Sequence, residues 1–521
     1  MSVDGRTSAR ATARALRRAR RRHYLHEGDW VDSLYKAYVT VIVAAVALFY
    51  ATAALGGTRT TGTTVTDVAH DGAAVLGLGI AVLVTLGLRS GARGGPLAPE
   101  PADVMHLLLA PVPRSTVLRA AALRQLRGVV LLPAIAGGVA GNVAAGRLGG
   151  NRVEWIAAGA AFGVLTALLV WGSALVASGT HLRIRAANAI GIVLVGWSAI
   201  DVAAGTASAP TAQIGRVALL PLTSSPLALL GPVIALGIAG YALAVAGRVS
   251  LEALRHRARL VGELRFAATL QDMRSVIVLH RELAQELPRS RPWIRAGTTR
   301  GSPCWQRDWR GFARWPTGRV VRVVVLALVV GLACAGAWNG TEALVVLAGI
   351  AAFLMGVDAL EGLAQESDHP VRPEQYPIRW GDLVVSHLVA PAALLTGVSL
   401  IAMLLFGVVS GAGEAFAVGA IALLPIAFAA VAGGAVSVVL GAPPPTLFLD
   451  LGFPEFSTLW LILRQVLAPL LVVAAFVPVG AAHAATGDHA TLGAALVAAL
   501  LPVVLVVAAW AWLKSREHVV R

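Results

Sequence analysis

The amino-acid sequence predicts an all-α polytopic membrane protein whose twelve transmembrane helices form two parallel six-helix repeats. Three observations carry that expectation. The 521 residues are 57% hydrophobic and only 14% charged, against about 25% charged for an ordinary soluble domain, so no soluble interior could cover the apolar surface. The apolar residues come in blocks of about 20, each long enough at about 1.5 Å per residue to cross a hydrocarbon core of roughly 30 Å. Six such blocks, a long polar stretch and six further blocks then suggest a duplicated unit.

The elements follow in order. Residues 1–36 read as a basic arm and an amphipathic pre-helix. The arm is Arg-rich and reaches Arg20-Arg21-Arg22 without an apolar core, so a cleavable signal peptide is not expected and the first span should serve as its own insertion signal. The first six-helix unit occupies 37–249, with spans near 37–56, 73–92, 129–148, 155–178, 187–205 and 227–249. Its outer loop 206–226 contains the apolar run Val217 to Leu222 and reads equally as a short outer helix folding back or as a passive cap. Residues 250–318 read as a cytoplasmic helix and linker: Leu251, Leu254, Val261, Leu264 and Ala268 recur at helical spacing, continuing the sixth span until Pro288 and Pro292. The second unit occupies 319–521, with spans near 319–338, 341–360, 387–410, 414–441, 460–482 and 491–513.

Charge fixes the orientation. With the N-terminus inside, every one of the 43 Lys and Arg lies on the inner side or at an inner span end except Arg59, Arg147, Arg152 and Arg216, the asymmetry that cytoplasmic loops carry. The net charge of +15 is thereby explained by topology, and nucleic acid is excluded as a partner. Cys304 in an inner segment and Cys334 inside a span cannot pair, and no metal-ligand spacing occurs. Asp29-Trp30 before the first span and Asp308-Trp309 before the seventh stand 279 residues apart, which supports the repeat. Six spans per half return the chain to its starting side, so the halves are parallel and their axis lies along the membrane normal.

Chemistry is sparse. No phosphate loop, zinc-binding His pair or nucleophile elbow is present, so the chain is expected to be no enzyme, to need no cofactor and to hold no metal. Ionisable residues inside spans are few: Asp201, Asp358 and Arg464 lie near span ends and can reach an interface. The helix-approach pattern Gly137-x-x-x-Gly141 and prolines at 133, 232, 391, 425 and 469 mark places where spans could pack closely or break. The inner loop 101–127 is expected to form ordered helical pieces at the cytoplasmic surface, either with a task of their own or as interfacial helices whose arginines meet anionic headgroups. Val104, Leu107 and Leu108 form one apolar face, and Val117, Leu118, Leu123 and Leu126 form a second, with Arg114, Arg119, Arg124 and Arg127 on its wet side.

Six spans per unit, an amphipathic pre-helix and the phrase Leu-Leu-Leu-Ala-Pro-Val-Pro-Arg at 107–114 resemble the membrane subunits of ABC-2 type transporters, exporter-like permeases of the actinobacterial kind. The resemblance implies a translocation pathway formed by the two units, placed in a bacterial cytoplasmic membrane with both termini inside. It implies two copies of a separate ATP-binding subunit, carrying the ATP and Mg that this chain does not hold. It also implies that the loops 101–127 and 366–386 are coupling elements, with Asp103, His106, Arg114, Arg119, Arg372, Arg379 and Asp382 as the residues meeting that partner. Two other readings stand beside it: a secondary transporter or channel, and a membrane protein that handles lipid-linked envelope precursors. Reporter fusions at residues 65, 210 and 340 should all give an external signal; an internal signal at 340 alone would break the division into six and six.

Overall fold

A peptide group in hydrocarbon must find its hydrogen-bond partner within its own segment or a closed sheet, and this chain meets the constraint with helices. The computed structural model describes residues 62–99, 113–269, 288–294, 302–368, 378–411, 413–441, 466–485 and 491–515, with isolated positions 104, 108, 279 and 463; no strand occurs among them. Nine described helices are long and apolar enough to cross a membrane, and two bent helix pairs raise the number to eleven. Each of the eleven falls on an expected span. The arm 1–36 and the span expected at 37–56 lie outside the described residues.

The chain divides into two compact units, Met1–Arg265 and Phe266–Arg521. In the first, α1 (Gly62–Ala92), α2 (Arg114–Leu148), α3 (Arg152–Gly179), α4 (Ile184–Ala204) and α6 (Leu230–Val245) provide the spans, and α5 (Pro210–Ala218) folds back between the last two. The most buried of these spans is α3, which touches α1, α2 and α6, while α1 also packs on α4 and α5. The α2–α3 hairpin turns at Gly149 and Gly150, whose φ values of 80° and 92° would strain any residue with a side chain. Asn151 then caps α3 by accepting from the Val153 N–H at 3.0 Å.

The two helices of this hairpin meet backbone to backbone. A Cβ on Gly137 would overlap the Gly159 carbonyl, one on Gly141 the Trp155 carbonyl, and one on Gly163 the Pro133 carbonyl. The Gly137/Gly141 pair therefore does act as a close-approach seam, with Gly159 and Gly163 as its counterparts.

Two expectations are corrected in this unit. The stretch 114–127 is no separate surface helix; it runs without a break into the third span as α2, with Pro133 inside the helix. The cytoplasmic helix after the sixth span is not a continuation of it. The chain tightens at Ala246–Arg248, turns at Val249 and restarts as α7 (Leu251–Thr269), where the Ser250 hydroxyl accepts from the Ala253 N–H at 3.1 Å. Leu254, Ala258 and Leu260 of α7 are buried, so this part of the expected linker belongs to the first unit's packing.

The second unit starts with the amphipathic α8 (Pro303–Phe312), capped by Ser302. Its spans are α9 (Thr317–Trp338), α10 (Leu344–Ala359), α12 (Trp380–Ser386) leading into α13 (Val389–Ser410), α14 (Gly413–Leu440), α15 (Val466–Ala474) with α16 (Val477–Ala484), and α17 (Thr491–Lys514). Here α14 is the most buried long helix, and it touches α10, α13 and α17. Gly356 of α10 faces the Ala430 carbonyl, and Gly434 would bring a Cβ to 2.9 Å from the Gly356 carbonyl carbon. The breaks lie away from most of the marked prolines. Beyond α10 the chain bends by 63° into α11 (Glu361–Asp368), and α15 bends by 43° into α16, whereas Pro425 sits inside a continuous α14.

Large apolar side chains on the outward faces, among them Ile192, Val193 and Ile200 on α4 and Leu496, Val497, Leu500 and Val504 on α17, are more than half exposed. Such faces are stable only against hydrocarbon. The hairpin seam is testable within one helix. Gly137→Leu should lower stability by about 1–3 kcal/mol through overpacking, read as a lower unfolding midpoint in detergent. Gly128→Ala, where nothing lies within 4 Å of the added carbon, should leave it unchanged or raise it.

Candidate functional site

Most of the chemistry-bearing residues lie at the span ends that carry the basic loops. In the first unit the chain leaves α1 and buries Leu97, Val104 and Leu108 beside Val117 and Leu118 at the start of α2, Trp171 and Leu175 of α3, Ala242 of α6, and Leu254 and Ala258 of α7. Gln125 ties the incoming strand of chain down, donating to the Pro96 carbonyl at 2.7 Å and accepting from the Ala98 N–H at 3.4 Å. The inner loop is thus anchored through its apolar face, as its spacing predicts, although Leu123 is half exposed.

The arginines divide by role. Arg119 donates from Nε to the Leu243 carbonyl at 2.9 Å and from Nη2 to the Ala244 carbonyl at 3.2 Å. It therefore satisfies the open carbonyls at the C-terminal end of α6, where a cation is favoured by the helix dipole. Arg114 is exposed at the first position of α2 and has no hydrogen bond or ion pair among the described residues. A cation at a helix N-terminus is disfavoured by roughly 0.3–1 kcal/mol, so its place there is not explained by helix stability. On α7, burial lowers the pKa of Arg257 from the ordinary arginine value, and its Nε has no hydrogen-bond partner among the described residues.

In the second unit Arg379 stands exposed at the N-cap of α12, with Asp382 exposed in the first turn. The helix behind them is firmly seated. Leu383 and Val384 are buried, and Gly381 lies so close to the Lys514 carbonyl that a side chain would collide with it. Asp103, His106 and Arg372 lie outside the described residues.

Four acid–base pairs lie in the second unit. Arg322 of α9 grips Asp358 of α10 with two hydrogen bonds, Nε to Oδ2 at 2.7 Å and Nη2 to Oδ1 at 2.9 Å, the fork geometry that makes such pairs strong. Arg319 donates to Glu361 at 2.9 Å, and Arg307 of α8 pairs with the fully buried Glu366. Asp308 of α8 and His387, just before α13, are both buried, with Nδ1 2.9 and 3.1 Å from the two carboxylate oxygens. Gly362 of α11 leaves the room this pair needs, since a Cβ there would meet the Asp308 carboxylate. Trp305, Trp309, Phe312 and Trp315 form an edge-to-face ladder with centroids 5.6, 5.5 and 5.1 Å apart along α8.

Sequence reasoning singled out Asp308 only as a repeat mark and weighed Asp358 alone, and it passed over Arg319, Arg322, Glu361, Glu366 and His387. Their signal was acid and base at matched depth on consecutive inner span ends. Asp201, the other acid weighed, caps the outer loop: it accepts from Thr206 Oγ1 at 2.8 Å, Ser208 Oγ at 2.7 Å and the Ala209 N–H at 2.6 Å. Arg464 lies outside the described residues. No group of His, Cys, Asp and Glu suited to a metal occurs among the described residues.

No family model matches the chain, and no curated protein matches it. Fold and site together define a helical multi-span membrane protein with a charged, ion-paired end. Removing one partner of a buried pair typically costs about 3–5 kcal/mol, so Arg322→Met should sharply lower the unfolding midpoint in detergent. The double variant Arg322→Met/Asp358→Leu should recover most of that loss.

Proposed function

We propose that the chain is the membrane-spanning permease of an ATP-driven exporter, formed by two parallel six-span repeats and driven by two copies of a separate ATP-binding subunit that carries the ATP and Mg. One observation carries the reading. Each unit, taken by itself, has its fourth span as the most buried long helix, touching the second, third and sixth, and in each the third span begins at an exposed arginine, Arg114 or Arg379. Duplicated units with the same internal neighbours are what a parallel repeat around one pathway requires. The seated helix starts behind Arg114 and Arg379 support a role in passing force from a cytoplasmic partner into the third and ninth spans. Within the expected coupling set, Arg114, Arg379 and Asp382 are the described residues with accessible side chains free to meet it; Arg119 is already engaged by α6.

A proton-coupled secondary transporter is the second reading, favoured by the buried Asp308–His387 pair. Charge reversal separates the two. A desolvated arginine at a protein interface is worth about 2–5 kcal/mol, against about 1 kcal/mol beside lipid headgroups. Arg114→Glu and Arg379→Glu should leave insertion intact while cutting copurification with the ATP-binding subunit and its stimulated turnover. Normal assembly and ATP hydrolysis by both variants, with transport abolished by Asp308→Asn, would favour the proton-coupled reading.

A further inference from the structure

A cavity of about 560 Å³ opens beside α8 in the second unit, lined by Arg307, Arg310, Arg314, Trp315, Arg319 and Glu361 among others. Pro288 also lines it, and the segment that follows is fixed against the same loop, where the Arg289 N–H donates to the Arg314 carbonyl at 3.0 Å and the Trp293 N–H to the Ala313 carbonyl at 2.7 Å. The Trp293 indole donates to the Trp315 carbonyl at 2.9 Å, and the Arg289 guanidinium stacks over the Trp293 ring at 3.8 Å.

The charges of this cavity do not balance. Arg307 is matched by Glu366, Arg319 by Glu361, and Asp308 by His387. Arg310 and Arg314 remain, exposed four residues apart on the cavity wall, with no hydrogen bond or ion pair from their side chains among the described residues. Two guanidinium groups on the wall of one cavity suit a phosphate oxygen pair. The two lining acids are already engaged, Glu361 by Arg319 and the buried Asp308 by His387, which leaves no exposed carboxylate to hold the ammonium of a zwitterionic headgroup.

Depth decides the source of the phosphate. The amphipathic α8 carries the half-buried Trp305 and Trp309, a residue type enriched at headgroup level, and the outward apolar face of α9 begins at Val321 and continues through Val324, Val325 and Leu328. We infer that this cavity binds the phosphate headgroup of an anionic phospholipid of the cytoplasmic leaflet, with its acyl chains along the membrane-facing side of the unit. Basic pockets of this kind on the cytoplasmic side of membrane proteins take such headgroups. The inference is independent of how transport is powered.

The test uses the full chain purified in detergent, with retained lipid counted by native mass spectrometry after addition of phosphatidylglycerol, phosphatidylcholine or inorganic phosphate. Phosphatidylglycerol should be retained in preference to phosphatidylcholine. Arg310→Ser/Arg314→Ser should weaken that retention about thirtyfold, as expected for two surface arginines. Arg310→Lys/Arg314→Lys should stay within about threefold, because the charge is kept and only the fork is lost. The exposed Arg183 and Arg185 at the start of α4 do not line this cavity, so Arg183→Ser/Arg185→Ser should leave the preference for phosphatidylglycerol unchanged. Undiminished retention by the serine double variant, equal retention of phosphatidylcholine, or full displacement of the lipid by millimolar inorganic phosphate would each overturn the inference, the last by making this a free-phosphate site.

Discussion

Hydrocarbon gives two helices no reason to prefer each other over lipid, so spans that associate must gain from close packing and from polar contacts that lipid cannot offer. Both kinds of contact occur here, at different depths. Across the interior of each unit the gain is close packing, with Gly137, Gly141, Gly159 and Gly163 joining α2 to α3, and Gly356 and Gly434 joining α10 to α14. Small residues permit backbone contact over several turns, which maximises dispersion between helices that have no water to expel. The central placement of α3 and α14 follows, since a span that must touch three others needs small residues on several faces.

Polar contacts take over at the end assigned to the cytoplasm. The second unit holds its first two spans together with Arg322 and Asp358, and attaches α8 and α11 through Arg307, Arg319, Glu361 and Glu366. Glu366, Asp358 and Arg319 are buried, so each pair must recover the desolvation of its ions through close contact, which Arg322 and Asp358 achieve with two hydrogen bonds. The described parts of the first unit use the same region differently, anchoring an inner loop through apolar residues and a single arginine on the α6 carbonyls.

Span positions were legible because length and hydropathy are local properties; eleven helices or bent pairs fall where apolar blocks predict them. Boundaries at the inner ends were not. The run from Arg114 to Arg127 carries charges that argue for a surface helix, yet nothing in it breaks the helix, and α2 continues through Pro133. The Gly137 seam was visible as a pattern but not as a contact, because its counterparts Gly159 and Gly163 are identified only by how the hairpin closes. The ion pairs were the least legible. Their partners stand 36 to 79 residues apart, and only the fold brings Asp308 to His387 or Arg307 to Glu366.

The 63° bend between α10 and α11 turns a span into a shelf. Beyond Leu360 the chain leaves the direction of the span, and α11 is held to α8 by paired charges beneath a ladder of aromatic rings. Exposed arginines and half-buried tryptophans are favoured at headgroup level, and they resist movement of this end of the second unit into hydrocarbon. A bilayer that thickens or thins around the protein is then accommodated more easily at the opposite end, where the described residues of the turns at 339–342 and 411–414 include the acids Glu342 and Glu414 but no Lys or Arg to reach headgroups. Mismatch costs a fraction of a kcal/mol per ångström, and here it falls mainly on one leaflet. The second unit therefore responds unevenly to membrane thickness, with its inner rim held and its outer rim freer to follow the lipid.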